Sequence, residues 1–466
     1  MAVAPKRASM HKQIDNTITR NSFQRALVNF CVLFFDRYMP DPFVIALLLT
    51  FMTAVLAMVL APHSTPADIL NAWYGGAFKI VAFAFQMMLI LVTGHAVASA
   101  VPVRRVLSRL VSWVSTPRQA TITMFMLVVP ATWLNWGLGL VVGAFVAKEI
   151  ARQIKVDYGW LVACGYTAWW LCNSGLSSSI ALSQASHGNP MNIVEQLTGQ
   201  MVPLRATLFS TFTLVPTILT VIASAIIFPH FCPAPSQSVY LETHSASAVE
   251  SGEEIPHRWS PRKALERSFV LSIAIALFAL AALLLHWQEH GFGFDIDSLI
   301  LSFLILGLML QKRPIAYVQA VRDAIAQTGP ILLQFPFYGG IMGIMTATGL
   351  AGVISVFFVH IASAQTLPFW SFISSLIITF LVPSAGGHWA VQGPFVVPAA
   401  LSLHASIPHV IMGVAIAENV ANMLQPFWAV PIVAIAGIGI QRVMAFTSIT
   451  FIISLVICSI SVLLLG

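Results

Sequence analysis

Charged residues are scarce in this sequence, and their scarcity limits the possible folds more than any other feature. Only 9% of the 466 residues are Asp, Glu, Lys or Arg, whereas 58% are hydrophobic. A soluble domain carries about 25% charged and about 45–50% apolar residues, so this chain has too little polar surface to cover itself in water. The composition predicts an all-α polytopic membrane protein. It excludes a soluble enzyme, a nucleic-acid binder and a disordered scaffold.

Long apolar stretches follow one another from residue 43 to the C-terminus. A membrane-spanning helix needs about 20 apolar residues, and most of the stretches approach that length. They are Phe43–Leu60, Ile80–Val101, Ala120–Ala147, Gly159–Leu182, Thr207–Phe228, Ser268–His286, Ser298–Leu310, Pro330–Val359, Leu367–Val382, Ala390–Leu403, Val410–Ile440 and Val443–Leu465. We expect a cytoplasmic N-terminus with an interfacial helix (1–42), a first membrane half (43–228), a cytoplasmic linker (229–267) and a second membrane half (268–466).

Lys and Arg predict the orientation, because cytoplasmic loops of membrane proteins carry an excess of them. The net charge of +6 is therefore a topology signal first. The segments expected in the cytoplasm are the N-terminus, Arg104–Arg118, Lys148–Lys155, Arg258–Arg267 and Lys312–Arg322, and those expected outside are Ala61–Ala72, Ser186–Gln196 and Glu289–Asp297. This alternation makes Ala120–Ala147 a re-entrant hairpin open to the cytoplasm. Leu367–Leu403 is then a second hairpin that opens outward.

The two predicted hairpins resemble each other. Val129-Pro130 precedes Asn135-Trp136-Gly137 at the same interval as Val382-Pro383 precedes His388-Trp389-Ala390. An interrupted helix follows each hairpin, with its break at residues 173–179 in the first unit and at Glu418–Pro426 in the second. Two similar units of opposite membrane orientation are typical of inverted-repeat transporters, whose site lies near mid-membrane between the units.

Interrupted helices inside a membrane indicate a binding site, because unpaired backbone amides cost several kcal/mol each in hydrocarbon. Helix N-termini suit a carboxylate, and loosened carbonyls suit a small cation. The alternative is that the glycines and prolines only permit close packing or kinks. The candidate substrate- or ion-binding residues are Asn135, Trp136, Gly137, Gly139, Ser177, Ser178, Ser179, Ser384, Gly386, Gly387, His388, Gln392, Glu418, Asn419, Asn422 and Gln425.

Glu418 is the only acidic residue after Asp323. An ionisable residue inside a membrane segment indicates a function. Glu418 could carry a proton, bind a cation as a carboxylate, or only cap free amides of the hairpin. His388 lies opposite it on the predicted hairpin tip, in a run rich in small residues. It could donate or titrate there, or bond only its own loop.

The hairpins and interrupted helices contain no Lys or Arg. A bound anion would meet helix ends, amides and hydroxyls, which favours a small, monovalent, partly apolar acid over a polyanion such as citrate or a nucleotide. A phosphate-binding Gly-x-x-x-x-Gly-Lys loop is also missing, so direct ATP drive has no support. We expect no cofactor and no metal, since the five cysteines are scattered without ligand spacing.

Several motifs resemble those of the short-chain fatty acid transporter family. They are Pro40-Asp41-Pro42, Val92-Thr93-Gly94-His95, the run from Asn135 to Ala144, His290-Gly291-Phe292, the run from Gln334 to Tyr338, Gly386-Gly387-His388-Trp389, Gln392-Gly393-Pro394-Phe395 and Gln425-Pro426-Phe427-Trp428. The resemblance implies uptake of short-chain carboxylates, typified by acetoacetate or butyrate, through the bacterial inner membrane. It also implies, through the ion-transporter superfamily, an elevator mechanism and a homodimer. Ala385 and the serines of residues 173–179 stand where the family has glycines.

The sequence therefore predicts a secondary active transporter that carries short-chain monocarboxylates by cation-coupled alternating access. A carboxylate that enters a negative-inside cell works against about 2.3 kcal/mol per charge per 100 mV, so a co-transported H⁺ or Na⁺ is expected. Its partners are the carboxylate, membrane lipid and a second copy of the chain. The alternatives are a membrane enzyme that uses His388 and Glu418 as acid and base, and a passive carboxylate channel. The enzyme would need a nucleophile elbow, and residues 175–179 lack its final glycine.

Overall fold

A computed structural model describes residues 40–61, 64–233, 238–241, 260–425, 428–429, 432–433 and 438–466, and all regular structure within them is helical. The first half contains α1 (Pro42–Leu60), α2 (Pro66–Ala77), α3 (Val81–Ser99), α4 (Val101–Val111), α5 (Pro117–Leu134), α6 (Trp136–Gln153), α7 (Tyr158–Ala168), α8 (Ser179–Ala185), α9 (Ile193–Thr198) and α10 (Thr211–Ile227). The second half contains α11 (Pro261–Glu266), α12 (Phe269–His290), α13 (Ile296–Gln311), α14 (Pro314–Ile325), α15 (Gly329–Ala347), α16 (Leu350–Ile361), α17 (Leu367–Leu381), α18 (Ala385–Leu403), α19 (Ile407–Ala421) and α20 (Ile440–Leu465). Short 3₁₀ turns are Trp170–Ser174, Phe228–Phe231 and Ala326–Thr328.

Six helical segments of the described chain are long and apolar enough to cross a membrane. They are Phe43–Leu60, Pro66–Ser99, Thr211–Phe231, Phe269–Glu289, Pro314–Ala347 and Ile440–Leu465. A helix rises about 1.5 Å per residue, so even the shortest of them approaches the roughly 30 Å hydrocarbon thickness. The prediction of an all-helical polytopic membrane protein is confirmed.

Burial separates an outer ring of helices from an inner group. Only 17% of the most apolar window of Phe269–Glu289 and 28% of Phe43–Leu60 is buried, so α12 and α1 lie on the outside of the helix assembly. By contrast, every residue of α7 is buried, and so is every residue of α19 from Val410 onward. Helices that are apolar and enclosed on all sides belong to the core, and both of these belong to the predicted interrupted helices.

Both predicted hairpins are present as pairs of helices with a short extended break. Asn135 breaks the first hairpin between α5 and α6 with φ −155° and ψ 122°. Ser384 ends the break of the second hairpin before α18 with φ −157° and ψ 116°. Each side chain accepts a hydrogen bond from the backbone N–H three residues later, as N-cap residues do.

The structure corrects the sequence alignment of the two hairpin tips. His388 was expected to match Asn135, but the residue with the same backbone geometry and capping role is Ser384. The reason is that Pro130 lies inside α5, whereas Pro383 lies in the break itself. The shared Val-Pro pair therefore does not mark equivalent positions.

The glycine-rich run at the second tip is also helical, which the sequence did not predict. α18 begins at Ala385 and includes Gly386, Gly387 and His388. Glycine costs about 1 kcal/mol in a helix, but a side chain would not fit here. A Cβ on Gly386 would lie 2.5 Å from Cε1 of Phe83, and one on Gly387 would lie 2.6 Å from Cε2 of Tyr338.

Four further expectations need correction or fall outside the described residues. Most of residues 66–77 were expected to form an outer loop, but these residues form α2. The helix begins at Pro66 because Thr65 and Asp68 make a capping box at its N-terminus. The stretch Pro330–Val359 divides where Gly349 adopts φ 80°, between α15 and α16. Glu418 and Asn419, placed in the second break by the sequence, lie in the last turn of α19. The interfacial helix and most of the 229–267 linker lie outside the described residues.

Close glycine contacts join α2 to α15. A Cβ on Gly76 would lie 2.7 Å from the Cα of Gly343, and one on Gly339 would lie 3.2 Å from the carbonyl oxygen of Ala77. Small residues permit such approach between membrane helices, where packing rather than the hydrophobic effect holds helices together. This contact fixes α3 and α15 beside each other, and both reach the site described below.

We expect Gly76→Ala to lower the melting temperature of the purified protein in detergent. The added methyl group overlaps the backbone of α15, and such overpacking costs about 1–3 kcal/mol. Gly75→Ala is the matched control, because nothing lies within 4 Å of a Cβ at Gly75. Equal melting temperatures for the two variants would contradict the contact.

Candidate functional site

One cavity lies where both hairpin tips and both interrupted helices meet. Its volume is about 40 Å³, which leaves room for a few water molecules and is smaller than the about 300–1,000 Å³ of sites for drug-sized ligands. Its lining, which we call the central cavity lining, consists of Met87, Trp136, Trp169, Cys172, Asn173, Ser179, Ile331, Phe335, Ser384, Ala385, Gly386, Glu418, Asn422 and Trp428. None of these residues is Lys or Arg, and Glu418 is their one ionisable carboxyl group.

Three helices begin at the central cavity. Trp136 opens α6, Ser179 opens α8, and Ala385 opens α18. The first N–H groups of a helix have no partner inside it, and its N-terminal end carries about half a positive charge. The cavity therefore has a positive side built from backbone, which suits an anion.

Side chains fix the position of these helix ends. Asn135 accepts from the N–H of Leu138 at 2.9 Å and donates to the carbonyl of Ile90 at 3.1 Å. Ser177 accepts from the N–H of Trp136 at 2.8 Å, which joins the first break to the first hairpin tip. Ser178 caps α8 in the same way as Asn135 caps α6.

Asn419 connects the two interrupted helices. Its carbonyl oxygen accepts from the N–H of Asn173 at 2.9 Å, and its amide donates to Ser174 at 2.9 Å. Asn173 belongs to the 3₁₀ turn of the first break, and Asn419 lies in α19 of the second half. The buried amide of Asn419 therefore gives non-helical backbone a hydrogen-bond partner, which lipid could not do.

His388, Glu418 and Gln392 form a buried polar chain next to the cavity, and each is 0% exposed. Glu418 Oε2 lies 2.8 Å from His388 Nδ1 and accepts from the hydroxyl of Thr379 at 2.9 Å. His388 Nε2 lies 2.5 Å from Gln392 Oε1. Such a chain is stable in a low-dielectric interior only when its donors and acceptors are matched.

Acceptor oxygens without a partner lie along the C-terminal end of α19. Within the described residues, Glu418 Oε1, Asn422 Oδ1 and Gln425 Oε1 are buried and have no hydrogen-bond partner. Glu418 and Asn422 line the cavity, while the amide of Gln425 donates to the carbonyl of Thr379 at 2.6 Å. A helix C-terminus carries a partial negative charge, so the end of α19 adds a negative part to the same cavity lining.

Tryptophans form one wall of the cavity. Trp136 and Trp428 meet edge to face at 5.3 Å between ring centroids, and Trp169 lies 6.1 Å from Trp428. Trp169 also donates to the carbonyl of Trp136 at 2.7 Å. Together with Met87, Ile331 and Phe335, these rings make the rest of the cavity apolar.

The structure places the predicted site residues in three groups. Those that line the cavity are Trp136, Ser179, Ser384, Gly386, Glu418 and Asn422. Those behind the lining, which cap its helices or bond to its neighbours, are Asn135, Ser177, Ser178, Gly387, His388, Gln392, Asn419 and Gln425. The last two, Gly137 and Gly139, lie where α6 packs against the backbone of Leu91 and the side chain of Thr132.

Other lining residues were missed by the sequence analysis. Phe335 and Trp428 stand in motifs that carried the family resemblance, so a signal was present. Met87 and Ile331 are ordinary apolar residues in apolar helices, and nothing in the sequence distinguishes them. Thr379, which bonds Glu418, has no signal either, because it lies in an unbroken part of α17.

Comparison with known proteins identifies relatives over most of the chain. The family described as "Short chain fatty acid transporter" matches residues 23–465. A protein of Escherichia coli (strain K12) named "Putative short-chain fatty acid transporter" is 40% identical over 90% of this chain and 94% of its own length. A Haemophilus influenzae protein of the same name is 37% identical over the same shares of both chains.

A solved structure shares the fold. The YdaH transporter of Alcanivorax borkumensis, whose crystal structure is described as revealing an unusual topology, matches with a TM-score of 0.52. The match covers 91% of this chain and 98% of that one at 15% sequence identity. At this identity the match establishes the architecture alone.

We expect Asn419→Ala to destabilise the protein by about 1–3 kcal/mol, because the N–H of Asn173 is left buried without a partner. Thermal unfolding in detergent measures the loss. Ser174→Ala removes only the second bond of the Asn419 amide and serves as the graded control. A loss for Ser174→Ala equal to or larger than that for Asn419→Ala would show that the bond to the Asn173 backbone is unimportant.

Proposed function

Because the chain belongs to the short-chain fatty acid transporter family, we propose that it carries short-chain monocarboxylates such as butyrate and acetoacetate across the bacterial inner membrane by cation-coupled alternating access. The family consists of transporters, so the chain is not an enzyme. The observation that carries the proposal is the central cavity, whose lining includes three helix N-termini and Glu418 near the C-terminal end of α19.

The lining of the cavity supports a small monocarboxylate as substrate. Its carboxylate would be held by the N-terminal ends of α6, α8 and α18 and by the hydroxyls of Ser179 and Ser384. The short alkyl part would contact Met87, Ile331 and Phe335. A polyanion would need additional positive charge, and the lining contains no Lys or Arg.

We further propose that the two hairpins and interrupted helices form a mobile unit related by an inverted repeat. The matching backbone and capping of Asn135 and Ser384 support two related units. The cavity lies at the boundary between these units and α3 and α15, which contribute Met87, Ile331 and Phe335. A site at such a boundary suits an elevator movement of the unit past fixed helices, with a homodimer holding the fixed helices in place.

The distribution of basic residues supports a cytoplasmic N-terminus. The basic segments predicted on the cytoplasmic side flank α5 and α6, so the first hairpin would open inward, and the second would open outward. α6 of the first hairpin would then extend from the cavity to the cytoplasmic face, and α18 of the second hairpin would extend from the cavity to the outer face.

Liposomes that contain the purified protein should accumulate labelled acetoacetate above the external concentration when an inward cation gradient is imposed. Acetoacetate is the better probe, because its additional carbonyl group slows passive passage through lipid compared with butyrate. Protein-free liposomes measure the passive part. Equilibration without accumulation would indicate a channel, and an absence of uptake for every short-chain acid would refute the proposed substrate class.

Ser384→Ala should lower acetoacetate uptake by about fivefold, which corresponds to about 1 kcal/mol for a hydrogen bond lost at the site. Ser406→Ala is the matched control, because each serine caps a helix by accepting from a backbone N–H at 3.4 Å. Only Ser384 lines the cavity, while Ser406 is exposed. Equal uptake by the two variants would place the substrate elsewhere.

The orientation is testable with single cysteines in a variant whose five natural cysteines are replaced. A membrane-impermeant maleimide applied to whole spheroplasts should label a cysteine substituted for Gln196 and not one substituted for Ser112, both of which are exposed positions. Permeabilised cells should label both. The reverse pattern would place the N-terminus outside.

A further inference from the structure

We infer, on the basis of the proposed transport function, that the co-transported cation is a proton and that the buried pair of His388 and Glu418 holds it. The two side chains belong to different elements, α18 of the second hairpin and α19 of the interrupted helix. Glu418 lines the central cavity; its Oε1 is buried without a partner, while its Oε2 lies 2.8 Å from Nδ1 of the histidine. The pair therefore touches both the substrate space and the protein interior.

Gln392 determines which nitrogen of His388 carries a proton. The amide nitrogen of Gln392 lies 3.1 Å from the carbonyl oxygen of Ser371, which can only accept. The amide must therefore donate there, and Oε1 must be the atom that lies 2.5 Å from His388 Nε2. The hydroxyl oxygen of Ser375 lies 2.7 Å from Oε1 and 2.6 Å from the carbonyl oxygen of Ser371. An amide oxygen only accepts, so His388 Nε2 is protonated.

The opposite nitrogen then requires a second proton between the two side chains. A neutral imidazole protonated at Nε2 presents a lone pair at Nδ1, and Nδ1 lies 2.8 Å from Glu418 Oε2. An ionised carboxylate would present another lone pair, and two acceptors at this distance repel. The arrangement is stable only with one proton between them, either on the carboxyl group or on the imidazole.

Within the described residues, the surroundings of the pair do not offer another charge to replace that proton. His388 and Glu418 are both 0% exposed. The titratable groups that face Glu418 from neighbouring elements are Tyr166 of α7, Cys172 of the first break and Tyr338 of α15. All three are neutral when protonated. Arg442, at the start of α20, forms an ion pair with Asp157 instead. Without its proton the pair would leave a buried carboxylate with no cation beside it, which is strongly destabilising.

This geometry links the proton to movement. With the proton bound, Glu418 and His388 are joined, so the N-terminal turn of α18 is attached to α19. When the pair gives up its proton to water on the cytoplasmic side, carboxylate and imidazole nitrogen repel and the second hairpin tip separates from α19. A proton taken up outside and released inside thus accompanies one monocarboxylate anion, and the combined charge that crosses the membrane is zero.

Calorimetry on the unmodified protein in detergent tests the inference directly. Butyrate is titrated into the protein in buffers of different ionisation enthalpy, and the dependence of the measured heat on the buffer gives the number of protons taken up. We expect about one proton per butyrate at pH values where the empty protein does not already hold that proton, and butyrate affinity about tenfold higher for each unit that the pH falls in this range. Butyrate affinity rises as the pH falls because the protonated form of the pair is the form that binds the anion.

Glu418→Gln supplies the variant. A glutamine amide can donate to His388 Nδ1 as a protonated carboxyl group does, so the variant retains the shape of the protonated pair but cannot release a proton. It should take up no protons with butyrate, and the pH dependence of its affinity should disappear. Glu266→Gln is the control, since Glu266 lies on α11 and pairs with the exposed Arg262. It should resemble the unmodified protein in both measurements.

The outcomes separate this inference from the proposed function. Butyrate binding without proton uptake at any pH, or with an affinity that depends on Na⁺ instead, would overturn the proton inference and leave the transport proposal standing. Unchanged proton uptake in a folded Glu418→Gln variant would also overturn it. An absence of butyrate and acetoacetate binding in the unmodified protein would contradict the proposed function itself.

Discussion

The constraint on which the structure depends is that lipid offers no partner to a backbone amide or carbonyl. A chain that interrupts helices inside a membrane must therefore enclose each break in protein. Here the enclosure is reciprocal. Ser177 of the first break receives the N–H of Trp136 at the first hairpin tip, and Asn419 receives the N–H of Asn173. The breaks are stable because they bond to one another, and the cavity is the space that remains between them.

The same requirement gives the cavity its electrostatics. Helix N-termini and the C-terminal end of α19 line the same cavity, so opposite partial charges share a small space. Backbone dipoles need no counter-ion when the site is empty, unlike a buried Arg or Lys. A site built from them can therefore bind and release a small anion without leaving a full charge stranded in a low-dielectric interior.

The sequence predicts the parts of this architecture that depend on composition and spacing. Apolar length and the distribution of Lys and Arg indicate the helices and the two hairpins, and the isolation of Glu418 in an uncharged region indicates its importance.

The sequence does not predict features that depend on packing. The helical conformation of Gly386 and Gly387 depends on the rings of Phe83 and Tyr338, which come from distant segments. The equivalence of Asn135 and Ser384 becomes visible only in backbone angles, because the Val-Pro pairs that look alike occupy different places. Thr379 and Met87 have no feature that distinguishes them before the helices are assembled.

The bond between Asn419 and Asn173 also has a consequence for biosynthesis. Asn173 leaves the ribosome 246 residues before Asn419, so the first interrupted helix enters the membrane long before its partner exists. At the elongation rate of about 5–20 residues per second, the N–H of Asn173 waits on the order of ten seconds or more for its acceptor. During that interval water, lipid headgroups or the insertion machinery must shelter the unfinished break. The first half of this protein therefore has to be sheltered in one of these ways until the second half is made.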